Sequence, residues 1–150
     1  MPWPGYEPAP NEAALLDWSW AAFRLERARR YWLATRHAGG SPHLRAVWAV
    51  WVDGRLAFST GRATRKARSL AVEPRCSLAV EFGEDAVVAE GVAEELTDRV
   101  PVERVDAAYT AKYGSSMLVG DSSVFAVRPL VVVGLSENDP SVRPTRWRLE

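Results

Sequence analysis

The sequence contains one cysteine, two histidines and no net charge, and these scarcities exclude several classes of protein. A single cysteine, Cys76, rules out an internal disulfide and any metal site built from several cysteines. Because Cys76 lies in an apolar run, a buried packing thiol is favoured over a nucleophile. The 19 basic and 19 acidic residues cancel, so the molecule as a whole has no electrostatic attraction to nucleic acid or to acidic membranes.

Long apolar runs are also missing. No stretch approaches the roughly 20 apolar residues that a membrane-spanning helix needs. The first residues lack the charged and apolar regions of a signal peptide, so we expect a cytoplasmic protein. What is present is the composition of an ordinary globular domain, with 47% hydrophobic and 25% charged residues in a chain of 150. We expect an extended, proline-rich arm over residues 1–10 and a single domain over residues 11–150.

Short strand-like segments dominate the chain after residue 30. Asp53-Gly54 is typical of a two-residue hairpin turn, and Gly91 indicates a bulge within a strand. Pro129 is expected to interrupt the strand that contains it. The expected strands cover residues 31–36, 42–52, 55–60, 75–82, 86–96, 124–135 and, as a last edge strand, 145–149.

Helices are expected in three places. The first runs from a cap at Asn11 or Asp17 to about Arg29, and two others cover residues 64–72 and 101–112. The strands are linked by hairpins and do not alternate regularly with the helices. This order favours a small, mainly β barrel with helices (α+β) over a parallel α/β sheet.

The segment over residues 56–68 carries the clearest chemical signal. A strand ends in hydroxyl residues, a glycine turn follows, and a helix then opens with two cations. Hydroxyls, free N–H groups at a helix start and cationic side chains are the donors that bind phosphate. The alternative is a solvated helix face made of Arg65, Lys66 and Arg68. The candidate phosphate donors are Ser59, Thr60, Thr64, Arg65 and Lys66.

Eight short segments, taken together and in order, carry a resemblance to a known family. They are Trp32-Leu-Ala-Thr-Arg, Gly40-Ser-Pro-His, Arg45-Ala-Val-Trp, Phe58-Ser-Thr, Thr64-Arg-Lys-Ala-Arg-Ser-Leu, Glu73-Pro-Arg-Cys-Ser-Leu, Glu90-Gly-Val-Ala-Glu and Thr145-Arg-Trp-Arg. They resemble the pyridoxamine 5′-phosphate oxidase-like, flavin-binding split-barrel family. The resemblance implies an antiparallel split barrel of six to seven strands. It also implies a homodimer that binds FMN, or alternatively coenzyme F420, at the subunit interface.

The resemblance further implies which residues hold the cofactor. The phosphate would be bound by Ser59, Thr60, Thr64, Arg65 and Lys66. The flavin ring would be lined by Arg45, Ala46, Val47 and Trp48. Trp147 matches a C-terminal segment that often reaches the cofactor of the partner subunit. A surface salt bridge remains the alternative for Arg45, and packing remains the alternative for Trp48.

The implied activity is that of an oxidoreductase, in which the cofactor carries the hydride chemistry and the protein supplies position and dryness. We find no convincing general base, since His37 lies in a turn and His43 is most simply structural. Three residues at the end of the third helix are further candidates for flanking a substrate pocket: Tyr109, Lys112 and Tyr113.

Departures from the family's pattern reduce the range of substrates that we expect. Pyridoxamine phosphate oxidases use a strand lysine and a strand glutamine, which here correspond to Val50 or Trp51 and to Val87 or Val88. We therefore expect reduction of a small hydrophobic or conjugated substrate rather than vitamin synthesis. Two alternatives stay open: a non-catalytic FMN or F420 binding or storage protein, and a haem-binding relative that uses His37 or His43.

Overall fold

The computed structural model describes residues 14–150, in which strands predominate and three helices lie among them. The helices are α1 Trp18–Arg27, α2 Arg65–Val72 and α3 Arg99–Tyr113. The strands are β1 Ala14–Leu15, β2 Tyr31–Arg36, β3 Pro42–Val47, β4 Val50–Val52, β5 Arg55–Gly61, β6 Arg75–Phe82, β7 Asp85–Leu96, β8 Ser122–Ser136, β9 Val142–Arg143 and β10 Thr145–Arg148.

Eight of these strands form one antiparallel sheet in the order β3-β2-β6-β7-β8-β5-β4, with β10 also paired to β8. Strand β8 is the centre of the sheet, because β7 pairs along its length while β5 and β10 pair with its first and second halves. The mainly β, antiparallel fold predicted from the sequence is confirmed. The small parallel pair β1–β9 was not predicted.

The main core fills the inside of the curved sheet. Alternate residues such as Phe58, Leu78 and Val127 point inward and are fully buried, as the two-residue period of a strand requires. Helices α1 and α2 cover this core with their apolar faces. Helix α3 packs a second cluster against the opposite face of β4, β5 and β8, so β5 is buried on both sides.

The expected long strand over 42–52 is in fact two strands, because the backbone leaves the ladder at Trp48 and Ala49. The Ala49 N–H donates to the Tyr113 hydroxyl at 3.1 Å, and that hydroxyl lies 2.9 Å from the Ala49 carbonyl oxygen. A side chain from α3 therefore replaces the strand neighbour of Ala49. This contact between distant parts of the chain leaves no trace in the local pattern.

The expected interruption at Pro129 is wrong, since β8 runs continuously through it. Proline lacks an N–H group, and the structure accommodates it opposite a register shift between Glu90 and Gly91. A Cβ on Gly91 would lie 2.2 Å from the Arg128 carbonyl oxygen. The bulge predicted at Gly91 is therefore confirmed, and glycine is required there because two backbones approach closely.

The helix ends differ slightly from expectation. Asp17 is the N-cap residue of α1, which ends at Arg27, while Asn11 and the expected arm over residues 1–10 lie outside the described residues. Helix α3 begins at Arg99, so Pro101 falls within its first turn, where a missing N–H leaves no bond unmade. Among residues 14–150, no helix is long and apolar enough to cross a membrane.

Candidate functional site

A cavity of about 280 Å³ gathers six of the predicted cofactor-binding residues at one place on the surface. Strand β3 delivers its last residues to one wall, β5 ends at another, and α2 begins beside them. Ligand sites in proteins usually occupy about 300–1,000 Å³, so this cavity lies near the lower limit of that range. Its lining residues are Arg30, Ala46, Val47, Trp48, Ser59, Thr60, Lys66 and Tyr109.

Two threonines join the end of β5 to the start of α2. Thr64 is the N-cap of α2, and its hydroxyl oxygen accepts from the Ala67 N–H at 3.3 Å. The Thr60 and Thr64 hydroxyl oxygens lie 2.8 Å apart, and either can donate to the other. One of the two hydroxyl protons is used in this bond, so the other remains available to an acceptor. The pair therefore keeps one hydroxyl donor beside the free N–H groups of the helix start.

The Ser59 hydroxyl is already engaged, because it donates to the Met117 carbonyl oxygen at 3.0 Å. Ser59 therefore anchors the chain that follows α3, and it can offer its proton to a ligand only by releasing that bond. The structure thus separates Ser59 from the Thr60–Thr64 pair, although the sequence groups the three as equivalent donors.

Four cationic side chains lie at this end of the fold. Arg30 and Lys66 line the cavity, whereas Arg45 and Arg65 are exposed nearby. None of the four forms a salt bridge with any carboxylate of residues 14–150. Cations that converge without counter-charges repel one another. An anion bound among them would relieve that repulsion.

Sequence reasoning missed Arg30. It lies just before β2, about 36 residues from Lys66 in the sequence, and the fold brings it to the same cavity. In a chain with 17 arginines, the arginine-rich end of α1 offered no signal that distinguished this residue. A helix end followed directly by a strand was the only available clue, and it does not reveal where the side chain lies.

The side of the cavity opposite the helix start is aromatic. The Trp48 ring stacks on Tyr113 with centroids 4.8 Å apart and planes 4° from parallel, while Tyr109 lies 4.7 Å from Tyr113. Trp48 remains 51% exposed. A flat apolar surface next to a cluster of cations suits a ligand that has both a planar ring and an anionic group.

Arg45 and Trp147 do not line the cavity of their own chain. Arg45 is exposed and donates to the Leu44 carbonyl oxygen at 2.8 Å. Trp147 lies on β10, with its ring edge-on to Trp18 at 5.7 Å and close to Gly134. Its predicted contact with a cofactor in the partner subunit remains a prediction.

The histidines form a separate cluster beneath α2. The His37 and His43 rings lie 5.0 Å apart, and His37 Nδ1 is 3.2 Å from the Ser69 hydroxyl oxygen. His43 is 8% exposed, and within the described part of the chain its Nδ1 has no hydrogen-bond partner. Burial, and then the charges of Arg45, His37, Arg65 and Lys66, lower its pKa. His43 is therefore neutral and internal.

Cys76 is buried, and burial raises its pKa to about 12. The thiol therefore stays protonated at neutral pH and cannot act as a thiolate nucleophile. Its position within the main core supports the packing role expected from its apolar neighbours.

Comparison with known proteins decides the family. The family model for pyridoxamine 5′-phosphate oxidase matches residues 19–135, which is more than half of the chain. The chain belongs to this family. The resemblance noted in the sequence is thereby confirmed, and the matched range includes β3, β5, α2 and α3, which all contribute lining residues to the cavity.

One curated member of the family shares clear sequence identity with part of the chain. A pyridoxine/pyridoxamine 5′-phosphate oxidase from Anaeromyxobacter dehalogenans is 42% identical over 69 residues. The match covers 44% of this chain and 35% of that protein. The match therefore spans only about a third of the length of this relative.

Solved structures confirm the split-barrel fold. A haem-binding protein from Mycobacterium smegmatis superposes with a TM-score of 0.74 at 20% identity, covering 90% of this chain and 60% of that one. An F420 reductase superposes with a TM-score of 0.62 at 22% identity, covering 73% and 93% respectively. At identities this low, the likeness shows the fold alone.

The positions at which this family member departs from the oxidase pattern lie away from the cavity. Val87 is fully buried in the main core, and Val50 is buried beneath α3. Trp51 is half-buried and packs against the main core. None of these three residues, nor Val88, lines the cavity, and none carries the positive charge of a lysine.

Proposed function

We propose that this protein binds a phosphorylated flavin-type cofactor, FMN, in the 280 Å³ cavity and acts as an oxidoreductase on a small planar or hydrophobic substrate. One observation carries the proposal: cations that have no carboxylate partner among residues 14–150, a spare hydroxyl proton and a helix start meet a half-exposed aromatic surface at a single cavity. Family membership supports the same conclusion, and the expected location is the cytoplasm.

The anionic end of the ligand would be bound by the chain's own donors. Lys66 and Arg30 supply charge, the Thr60–Thr64 pair supplies a hydroxyl, and α2 supplies N–H groups. Hydrogen bonds to charged groups contribute about 1.5–3 kcal/mol each, so each cation contributes roughly 10- to 100-fold in affinity. A compact cluster of this kind suits a terminal monophosphate, which favours FMN over F420.

The planar end would lie against Trp48 and the backbone of Ala46 and Val47. When bound, the flavin ring would supply hydride transfer. The chain's own task is to hold the ring, exclude water from one side of it and leave a surface for the substrate. The absence of an acid–base group among the lining residues other than Lys66 and Tyr109 agrees with this division of roles.

The two alternatives make different demands on the structure. A storage protein would bind the same cofactor without turnover. A haem protein would need an accessible axial histidine; His43 is buried, whereas His37 is half-buried and its Nδ1 contact with Ser69 leaves Nε2 as the one candidate ligand of the two rings. Absorbance of the purified protein separates these possibilities, since flavin bands, a single deazaflavin band and a Soret band are distinct. NAD(P)H oxidation by the flavin-loaded protein would then separate enzyme from store.

The decisive test compares two cations of the same helix. Lys66 lines the cavity, whereas Arg68, two positions further on, faces another side of α2 and is exposed. Lys66→Ala should weaken FMN binding about 10- to 100-fold. Arg68→Ala removes the same charge and should leave the affinity unchanged. Flavin fluorescence titrations with each variant measure both affinities.

Riboflavin provides the internal control because it has the ring without the phosphate. Its affinity should be the same for the native protein and for Lys66→Ala. Equal FMN affinities for Lys66→Ala and Arg68→Ala would show that the anion is bound elsewhere, and the site assignment would then fail.

We further propose that the protein is a homodimer. Trp32 and Leu44 expose 41% and 55% of their surface, and a second copy would cover such large apolar groups. The small volume of the cavity is also consistent with a site that a second chain completes. Light scattering after gel filtration gives the mass directly, and a monomeric mass at micromolar concentration would contradict this proposal.

A further inference from the structure

Lys112, at the end of α3, has a set of contacts that the cofactor site does not explain. Its ammonium group donates to the carbonyl oxygens of Glu26 and Ala49 at 3.1 and 3.0 Å, and to the Tyr31 hydroxyl at 2.9 Å. It also lies 5.2 Å from the centroid of the Tyr113 ring. All three ammonium hydrogens are used, so Lys112 joins α3 to the end of α1, the start of β2 and the break between β3 and β4.

Tyr113 reinforces the same break. Its hydroxyl accepts from the Ala49 N–H and also lies within hydrogen-bond distance of the Ala49 and Arg29 carbonyl oxygens, at 2.9 and 3.0 Å. The backbone N–H and C=O of Ala49 are therefore both held by the last turn of α3. Since Ala49 directly follows Trp48, fixing its backbone restricts where the Trp48 side chain can go.

The Trp48 ring is held from the other side by the same residue. Its stack on Tyr113, at 4.8 Å and 4°, covers one face of the indole. The ring is nevertheless half exposed and lines the cavity. A large aromatic side chain that is fixed in backbone and in ring plane offers a preorganised surface, which binds a planar ligand without first losing rotamer freedom.

We propose that Lys112 and Tyr113 are positioning residues that fix Trp48 as the stacking surface for the planar ring of the ligand. The inference deepens the proposed function and rests on it for the identity of that ring. Lys112 itself does not line the cavity, so it acts only through Ala49, Tyr113 and Trp48. Neither residue was assigned this role from the sequence, which suggested only that they flank a substrate pocket.

The first measurement needs no ligand. The Trp48 indole N–H gives one resonance in a ¹H–¹⁵N spectrum, identified by its loss in Trp48→Phe. Tyr113→Phe deletes the hydroxyl but keeps the stacked ring, and Lys112→Met deletes the ammonium group. Both should shift or broaden the Trp48 resonance. Arg104→Met removes a cation from the exposed side of the same helix and should leave that resonance unchanged.

The second measurement is the affinity for riboflavin and FMN. Loss of one aromatic stacking contact should weaken riboflavin binding about two- to tenfold. FMN affinity should fall by the same factor, so the ratio of the two affinities stays at the native value. Lys66→Ala should instead lower the FMN affinity and leave the riboflavin affinity unchanged, so that the ratio of the two affinities falls. A purely structural role for Lys112 would lower both affinities through the folded fraction alone, and it would leave the Trp48 resonance of the folded protein where it is in the native chain.

The outcomes distinguish the two proposals. If the native protein binds neither flavin, the proposed function fails. The Trp48 resonance still decides whether Lys112 and Tyr113 position Trp48. An unmoved resonance in both Tyr113→Phe and Lys112→Met overturns the positioning role. A moved resonance with unchanged riboflavin affinity overturns the stacking role. If Lys112→Met does not fold, Tyr113→Phe alone decides, because it keeps the ring and the charge.

Discussion

The Thr60–Thr64 pair allows a quantitative test of how the start of α2 is built. Thr64→Ala removes the N-cap that accepts from Ala67, which costs about 1 kcal/mol of unfolding free energy. It also leaves the Thr60 hydroxyl, in a residue only 7% exposed, without its partner at 2.8 Å. An unsatisfied buried hydroxyl costs about 1–3 kcal/mol. We therefore expect Thr64→Ala to destabilise the protein by about 2–4 kcal/mol.

Replacing the other member of the pair, Thr60, should cost less unfolding free energy. Thr60→Val is nearly isosteric and leaves the half-buried Thr64 able to bond to water, so it should cost only about 0.5–1.5 kcal/mol. In the double variant the cap is lost but no hydroxyl is stranded. The double variant should therefore be more stable than the sum of the single effects predicts, by about 1–3 kcal/mol.

Urea unfolding followed by circular dichroism measures all three variants under the same conditions. Thr64→Ser keeps the cap and the donor and should stay within about 0.5 kcal/mol of the native protein. Additive single effects, within about 0.5 kcal/mol, would mean that the two hydroxyls do not share a bond. The argument for a spare hydroxyl proton at the cavity would then be wrong.

Two further predictions concern the rest of the fold. Gly134→Ala should lower the free energy of unfolding by about 1–3 kcal/mol, because its Cβ would lie 2.8 Å from Trp20 Cζ3 and 3.0 Å from Trp147 Cη2. Gly39→Ala is the control, since a Cβ there meets nothing within 4 Å. Equal thermal unfolding midpoints for the two variants would contradict the packing argument. Burial, and then the charge of Arg29, lower the pKa of Lys112 to about 8, partly offset by Glu26. Between about pH 8 and 10.5, the ordinary pKa of lysine, Lys112 binds fewer protons in the folded chain than in the unfolded chain. The free energy of unfolding of the native protein should therefore rise relative to that of Lys112→Met as the pH increases across this window. A constant difference in urea midpoints over that range would refute the shift.

The local parts of the site could be read from the sequence because they depend on neighbouring residues. Hydroxyls at the end of a strand, a glycine turn and an N-cap threonine lie within a few positions, so Thr60, Thr64 and Lys66 were found together. The same locality explains the hairpin at Asp53-Gly54 and the bulge at Gly91. The hairpin depends on the positive φ angles of Asp53 and Gly54, and the bulge depends on the close approach of the Arg128 backbone to Gly91.

The non-local parts could not be read in this way. Arg30 comes to the cavity from a segment far from α2 in the chain, and no local pattern distinguishes it from the other arginines. Tyr109 was a candidate for flanking a pocket, but its local sequence did not show that it, rather than Lys112 or Tyr113, would line the cavity with Lys66. The break at Ala49 was missed for the same reason, since its cause is a tyrosine 64 positions away. Ser59 was grouped with the phosphate donors because its partner, the Met117 carbonyl oxygen, belongs to another loop.

By itself the sequence determined the mainly β class, most strand boundaries and the family, and it indicated the segment that carries the candidate phosphate donors. The class, the strand boundaries and the donor segment follow from periodicity, turn chemistry and capping, which act over a few residues, whereas the family follows from the resemblance of eight short segments. Only the tertiary structure decided which cations converge without a carboxylate partner in the described part of the chain, which hydroxyl stays available and which aromatic ring is held at the cavity. Those properties depend on distances between segments, and such distances exist only once the sheet has closed around its core.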